Sequence, residues 1–333
     1  MSLSPSCAAL TLIAIVGKTD AQQVACLLHT ALSGTSGVRA HMTYPEDAAL
    51  SSPSALFTHL HLLAGQQFTH AILLLDEDTL ARRLCVGLHP SITAPVGQAV
   101  SWNGIETLLA ASDMAVFDLD ETGREDYVSI VTKHSFTYSE NKARADLTAR
   151  NLRLFPGHTE FEAVATGQIC RIHLPVCGGF AVYHALCALS CGLCLGLELS
   201  QMARLFRAAP GPAGCMEVLS IPAAYTVLLD RAADLRSLER VLTTARSFTA
   251  RRLVCLLDSG GSRSMEELAG HLADGVLTFG GAWADRQQAI VRGLDRARPG
   301  DVLVLTGADG GAEERAFIRA CAHNCSLRRR QRV

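Results

Sequence analysis

Glycine, lysine and threonine stand together at Gly17, Lys18 and Thr19 in TLIAIVGKTDAQQVACLL, residues 11–28. An apolar run precedes the triplet and a helical pattern follows it. That order, strand to turn to helix, puts a lysine and a helix N-terminus where an anion can sit. A phosphate loop of the GxxxxGK[ST] kind curls several backbone N–H groups around the oxygens, and its glycines allow the close approach. Here one glycine precedes the lysine and the four-residue arch is absent. The triplet therefore reads as a vestigial nucleotide site or as a plain turn with a surface lysine. Asp118, Asp120 and Glu121 in FDLDETG follow another apolar run and form either a magnesium site or an acidic strand end facing water. Asp230 ends a strand, where it either orients a ligand or caps the next helix. Gly260, Gly261 and Arg263 make a turn after LVCLLD that either binds phosphate or only reverses the chain. His184, within the apolar run FAVYHALCALSCGLCLGL, fits a hydrogen-bonded core histidine better than a catalyst. Cys187, Cys191 and Cys194 recur at helical spacing, but no second Cys or His pair at zinc-site spacing goes with them. No nucleophile lies in a recognisable Ser–His–Asp or Cys–His pattern.

The elements that must position these residues come in two rhythms. Apolar strands at 11–16, 71–75 and 114–117 alternate with helices at 20–33 and 78–86, as in a parallel sheet covered on both faces. Residues 35–56 are turn-rich and read as a surface excursion. From about 128 to 174, consecutive short strands separated by Gly, Pro and Asn predict an antiparallel extension, followed by a buried helix at 180–195 and a shorter one at 200–207. The run RAAPGPAG is the strongest boundary signal. Beyond it, strands near 215–220, 224–229, 252–257, 274–279 and 301–305 alternate with helices at 234–247, 264–272, 284–297 and 312–323. The 333 residues suggest about two domains. A formal net charge of −2 gives no reason to expect nucleic acid as a partner. The apolar run from Phe180 contains a histidine and many small residues, so a buried helix is expected there and no membrane span. The N-terminus lacks an export signal, and twelve cysteines then mean reduced thiols and a cytoplasmic setting. The basic end SLRRRQRV reads as a solvated tail.

Several segments, in order, resemble the Mur ligases, the ATP-dependent amide-forming enzymes of peptidoglycan synthesis, and above all the branch that adds the third residue of the peptide stem. ADLTARNLRL, GHTEFEA and GQICRIHLPVCGGFAVYHALCAL are similar to that family's central-domain series. PGPAGCMEVL is similar to its PGRMEV, and YTVLLDRAADLRSLERVL to its VVDYAHTPDALE..L. RRLVCLLDSGGSRS and ADRQQAIVRGLDRARPGDVLVLTGADG resemble its later glycine-rich segments. The resemblance implies an α/β fold: a P-loop-like central domain with a mainly parallel sheet at 1–208, a Rossmann-like C-terminal domain at 209–327, and a basic tail at 328–333. It also implies ATP and Mg²⁺ as cofactors if the family activity is retained.

The departures from the family pattern are concentrated where ligands would bind. The resemblance begins at the family's first P-loop strand, so its N-terminal domain for the UDP-sugar substrate is expected to be absent. Its modified lysine should fall between 76 and 113, a region with no lysine at all; Lys18, Lys133 and Lys142 are the only three, against twenty-seven arginines. Cys215 stands where an arginine would reach the nucleotide, and Ala181 and His184 stand for two asparagines. Arg231 and Ala233 replace a tyrosine and a histidine, although Asp230 is kept. Gly307-Ala308-Asp309-Gly310-Gly311 stands where the family has GKGHE, so that Ala308, Gly310 and Gly311 replace its lysine, histidine and glutamate. The expected function is a degenerate pseudoenzyme that binds or regulates, with a cell-wall synthesis or division protein as partner. An active ATP-dependent ligase lacking its own UDP-binding domain, and a nucleotide-binding protein without ligation, are the alternatives.

Overall fold

The computed structural model describes residues 10–97, 102–121, 134–209, 211, 214–232, 234–258, 262–307 and 311–330. Two compact units are present: one takes in most of the chain up to Ala209, and the other takes in 210–333 with the segments 153–159 and 175–179.

Among the described residues a nine-stranded sheet, all but the 153–159 segment of which belongs to the first unit, has the order β2-β3-β1-β4-β5-β6-β7-β8-β9. Its strands are β1 (Thr11–Val16), β2 (Ala40–Thr43), β3 (His70–Leu75), β4 (Ile92–Pro95), β5 (Met114–Asp118), β6 (His134–Ser139), β7 (Leu147–Phe155), β8 (His158–Ala165) and β9 (Gln168–Leu174). β1 lies between β3 and β4 and runs parallel to both. Leu12 to Val16 are buried on both faces, as an uninterrupted apolar run requires of a central strand. Helices α1 (Thr19–Ser33), α2 (Pro53–Gly65), α3 (Glu77–Ala81), α4 (Ile105–Ala111), α5 (Gly179–Cys194) and α6 (Leu199–Phe206) complete the unit. One core cluster joins Val16, Leu60, Leu73, Leu75, Leu109 and Phe117.

The second unit carries β10 (Glu217–Val218), β11 (Thr226–Leu229), β12 (Leu253–Asp258), β13 (Gly275–Phe279) and β14 (Val302–Leu305), in the order β10-β11-β14-β12-β13. Among the described residues of this sheet, only the β10–β11 pair is antiparallel. Helices α7 (Leu235–Ser247), α8 (Arg263–Leu272), α9 (Trp283–Arg296) and α10 (Ala312–Arg330) alternate with them.

The α/β class agrees with the sequence expectation, and the succession of elements is corrected in four places. Where an antiparallel extension was expected, β6 pairs parallel with both β5 and β7. The stretch at 35–56 is structured: it contains β2, a 3₁₀ turn at Ala48–Leu50 and the start of α2, whose N-cap Ser52 accepts the Ala55 N–H with Pro53 at the first helical position. The helix expected at 78–86 stops at Ala81, and Arg83 turns the chain with a φ of +55°. At the C-terminus α10 continues through Arg330, so the basic run begins as helix.

Candidate functional site

β1 and β3 end side by side, and the chain leaves them into α1 and α3. The crevice outside the carboxyl ends of parallel strands is where open α/β sheets bind ligands. A cavity of about 420 Å³ lies there, lined by Gly17, Lys18, Gln22, Tyr44, Glu46, Asp76, Glu77 and Asp78, with Pro45 and Leu74. Gly17 is required at the floor by space: a β-carbon there would stand 2.9 Å from Ala21 Cβ and 3.1 Å from Val96 O. Its N–H donates to Leu75 O at 2.9 Å, and the Ala21 N–H donates to Lys18 O. Lys18 is exposed and occupies the N-cap position of α1, with no side-chain cap bond. The side chain of Thr19 lies outside the described residues.

The wall opposite is acidic. Asp76 is the N-cap of α3, and its Oδ1 accepts the Thr79 N–H at 2.9 Å, which fixes that carboxylate at the cavity edge. Asp78 accepts from Arg82 at 3.3 Å. Asp20, in the first turn of α1, lies 3.2 Å from His184 Nε2. His184 is 4% exposed; its Nδ1 lies 3.0 Å from Gln23 Oε1, and Phe180 packs edge-on against the ring at 5.6 Å. His184 thus ties α5 to the first turns of α1.

Asp118 and Asp120 stand at the end of β5. Asp118 Oδ1 accepts the Asp120 N–H at 2.8 Å. Asp120 accepts the Ser139 hydroxyl at 2.6 Å, the Glu140 and Asn141 N–H groups at 2.7 and 3.2 Å, and the Tyr183 hydroxyl at 3.3 Å. Burial acts against this carboxylate, but the four hydrogen bonds outweigh it and hold its pKa below the ordinary value. Tyr183 is pushed well up, first by burial and then by Glu140 and Asp120. Lys142 Nζ donates to Leu119 O. Glu121 is half-buried and follows this turn.

In the second unit Asp230 is 4% exposed and accepts the Met216 and Ala232 N–H groups at 2.8 Å each. Burial raises its pKa against these two bonds. It does not cap α7, whose N-cap is Asp234 in a capping box with Ser237. Arg263 opens α8 with its side chain 92% exposed and paired with Glu267 at 3.1 Å. Gly260 and Gly261 lie outside the described residues, as do Ala233, Ala308, Asp309 and Gly310. Cys187 and Cys191 are buried in α5, and burial pushes the Cys194 thiol up to about 12. The acids that line the cavity, Glu46 and Asp76 to Asp78, were not among the sequence candidates. Their signal is the strand end LLLDED, in which a buried run meets three consecutive acids.

No family model matches the sequence. Among curated proteins, the UDP-N-acetylmuramoyl-L-alanyl-D-glutamate–2,6-diaminopimelate ligase of Bacillus cereus is 26% identical over 223 residues, 58% of this chain and 45% of that protein. The ligase of the same description from Thermosynechococcus vestitus is 30% identical over 166 residues, 40% of this chain and 33% of that one. The matched stretch is thus less than half of the length of either relative. Among solved structures, one of a UDP-N-acetylmuramoyl-L-alanyl-D-glutamate–2,6-diaminopimelate ligase superposes with a TM-score of 0.75 at 19% identity, covering 95% of this chain and 78% of that one. The MurF ligase from Thermotoga maritima in complex with ADP follows at 0.71 and 13%, covering 95% and 81%.

Proposed function

We propose that this chain, Mur-ligase-like in sequence and in fold, does not join an acid to an amine. It acts instead as a cytoplasmic binding or regulatory protein beside peptidoglycan precursor synthesis, with a cell-wall synthesis or division protein as partner. One observation carries the reading: the cavity at the end of β1 sets one lysine, Lys18, against Glu46, Asp76, Glu77 and Asp78. Phosphoryl transfer depends on cations and N–H groups that neutralise the phosphates. Here the Gly17 N–H is already donated to Leu75 O, and Asp20 puts a carboxylate in the helix turn that would otherwise attract an anion. Carboxylates alone would suit a magnesium ion, but one lysine against four of them leaves the charge of a triphosphate largely unneutralised, so the residues do not fit the metal–nucleotide pair. The lysine-free stretch from 76 to 113 points the same way.

Titration calorimetry with ATP and magnesium tests the reading on the purified chain. Binding no tighter than about millimolar is expected, worth only ~4 kcal/mol. Micromolar binding that disappears in Lys18→Ala overturns the proposal. So does phosphate release that depends on both a muropeptide and an amino acid.

A further inference from the structure

β2 is an edge of the nine-stranded sheet, a strand of four residues paired on one side, and histidines surround it. In its register with β3, Ala40 stands opposite His70, His41 opposite Ala71 and Thr43 opposite Leu73. Alternation puts His41 and Thr43 on the face that α2 covers, where Ala71 and Leu73 join Leu56, Leu60 and Leu63 in one core cluster. His59 of α2 closes over both. Its ring centroid is 5.3 Å from that of His41, and its Nε2 lies 3.1 Å from the Thr43 hydroxyl oxygen. Phe68 meets the His41 ring edge-on at 5.4 Å. From α1, His29 sets its Nε2 3.3 Å from Ala40 O. All four histidines are half-buried. The other charged or titratable groups around them are Asp47 in the turn after β2, the exposed Glu46 and His61, and Arg39, whose guanidinium lies 4.8 Å over the Phe68 ring.

We propose that His41 and His59, seconded by His29 and His70, make β2 a proton-sensitive edge: acidification charges the rings, frees β2 from β3 and α2, and unseats the cavity wall at Tyr44, Pro45 and Glu46. Imidazole is the side chain whose charge ordinarily changes between about pH 5 and 8. Two neutral rings pack readily at 5.3 Å, whereas two charged ones repel, and half-burial screens that repulsion less than water would. Burial, and then His59, hold the His41 pKa below the ordinary value, against the pull of Asp47. Burial lowers that of His70 as well. A folded pKa below the unfolded one means that opening takes up protons. The contribution to stability is therefore complete above the ordinary histidine value and is lost as pH falls from there through the folded pKa. The edge gives way first, because β2 has a strand neighbour on one side only. Detachment reaches the cavity directly: Thr43 is followed by Tyr44, Pro45 and Glu46, three of the lining residues. Their turn is closed by the Tyr44 N–H, which donates to Asp47 Oδ2 at 2.7 Å. The device does not depend on what the cavity binds.

Hydrogen–deuterium exchange of the full chain, compared by mass spectrometry at about pH 7.5 and about pH 5.5 and corrected for the intrinsic rate at each, tests the proposal. Protection of 40–46 should fall at least about threefold at the lower pH, the scale of a like-charge pair across strands, while protection of 11–16 in β1 holds. The double variant His41→Asn/His59→Gln carries neither ring and should lose this fall. His89→Gln, at an exposed histidine elsewhere, should keep it. An NMR titration of the parent needs no variant: the His41 ring should titrate below about 6.5, and the Tyr44 and Glu46 amide shifts should move with the same midpoint. Unchanged protection of 40–46 in the parent overturns the proposal, as does an equal fall in 11–16, which would mean that the whole unit responds. A His41 midpoint above about 6.5 overturns it too, and so does a fall that persists undiminished in the double variant.

Discussion

Adding one methyl group at Gly17 brings it against Ala21 Cβ and the Val96 carbonyl, both inside ordinary contact distance. The floor of the β1 turn then has to shift, whatever the cavity binds. Gly17→Ala should therefore cost about 1–3 kcal/mol, the usual penalty of overpacking. In a unit of this size that lowers the thermal midpoint by roughly 2–4 °C per kcal/mol. An unchanged midpoint would show that the turn relaxes freely. Asp230 gives a second test at this scale, because it takes the N–H groups of both Met216 and Ala232. Met216 has a φ of +47°, a left-handed backbone that needs external support. Asp230→Ala leaves two buried donors unpaired and should cost about 1–3 kcal/mol. Its pH dependence has a definite sign. Burial raises the folded pKa above that of the unfolded chain, so the titration of Asp230 favours the fold below the ordinary aspartate value and loses that contribution as pH rises through the folded pKa. The gap in stability between parent and Asp230→Ala should narrow as pH climbs from about 4. A gap that widens over that interval contradicts the assignment.

Elements with strong local signals were legible in the sequence. β1, β3 and β5 are continuous apolar runs, and the sheet buries them on both faces. The β8–β9 hairpin alternates at period two between Gly157 and Gly167, whose φ values of +84° and +76° are those its tight turns demand. β2, only AHMT, and β4, only ITAP, are too short and mixed for a period to show, and pairing with longer neighbours settles them. α2 had a readable start in Ser52-Pro53 that was masked by the Ser- and Pro-rich composition around it. Side-chain pairs between residues far apart in the chain left no local signal. The Glu217–Arg315 pair is of the same non-local kind, joining β10 to α10 at 2.7 and 2.9 Å. The Arg315 guanidinium is the main cause holding Glu217 below its ordinary pKa, so this contribution is present above the unfolded glutamate value and lost as pH falls through the folded one. Arg315→Met should cost about 1 kcal/mol at neutral pH, since both groups keep partial exposure and are screened. The cost should shrink on acidification below about pH 4; a cost that grows there would contradict the pairing.

At the scale of the whole molecule, Mur-ligase-like order was legible because strand cores and turns carry it. What each unit keeps is a core of its own. The apolar cluster of the second unit draws its buried members from Leu219 to Cys325, among them Val227, Leu256, Ile290, Leu303 and Ile318. One cluster of the first unit draws only on residues 12–117. From the end of α6 at Phe206 to β10 at Glu217 the sequence runs through RAAPGPAG, its strongest boundary signal. We expect limited proteolysis to cut first within 208–214 and to leave a stable C-terminal fragment of roughly 120 residues, an ordinary domain size. Mass spectrometry of the early digest identifies the site, and a cooperative melt of the isolated fragment tests whether its core suffices. First cleavage elsewhere, or a fragment that melts without cooperativity, would mean that residues before 208 are needed to hold the second sheet together.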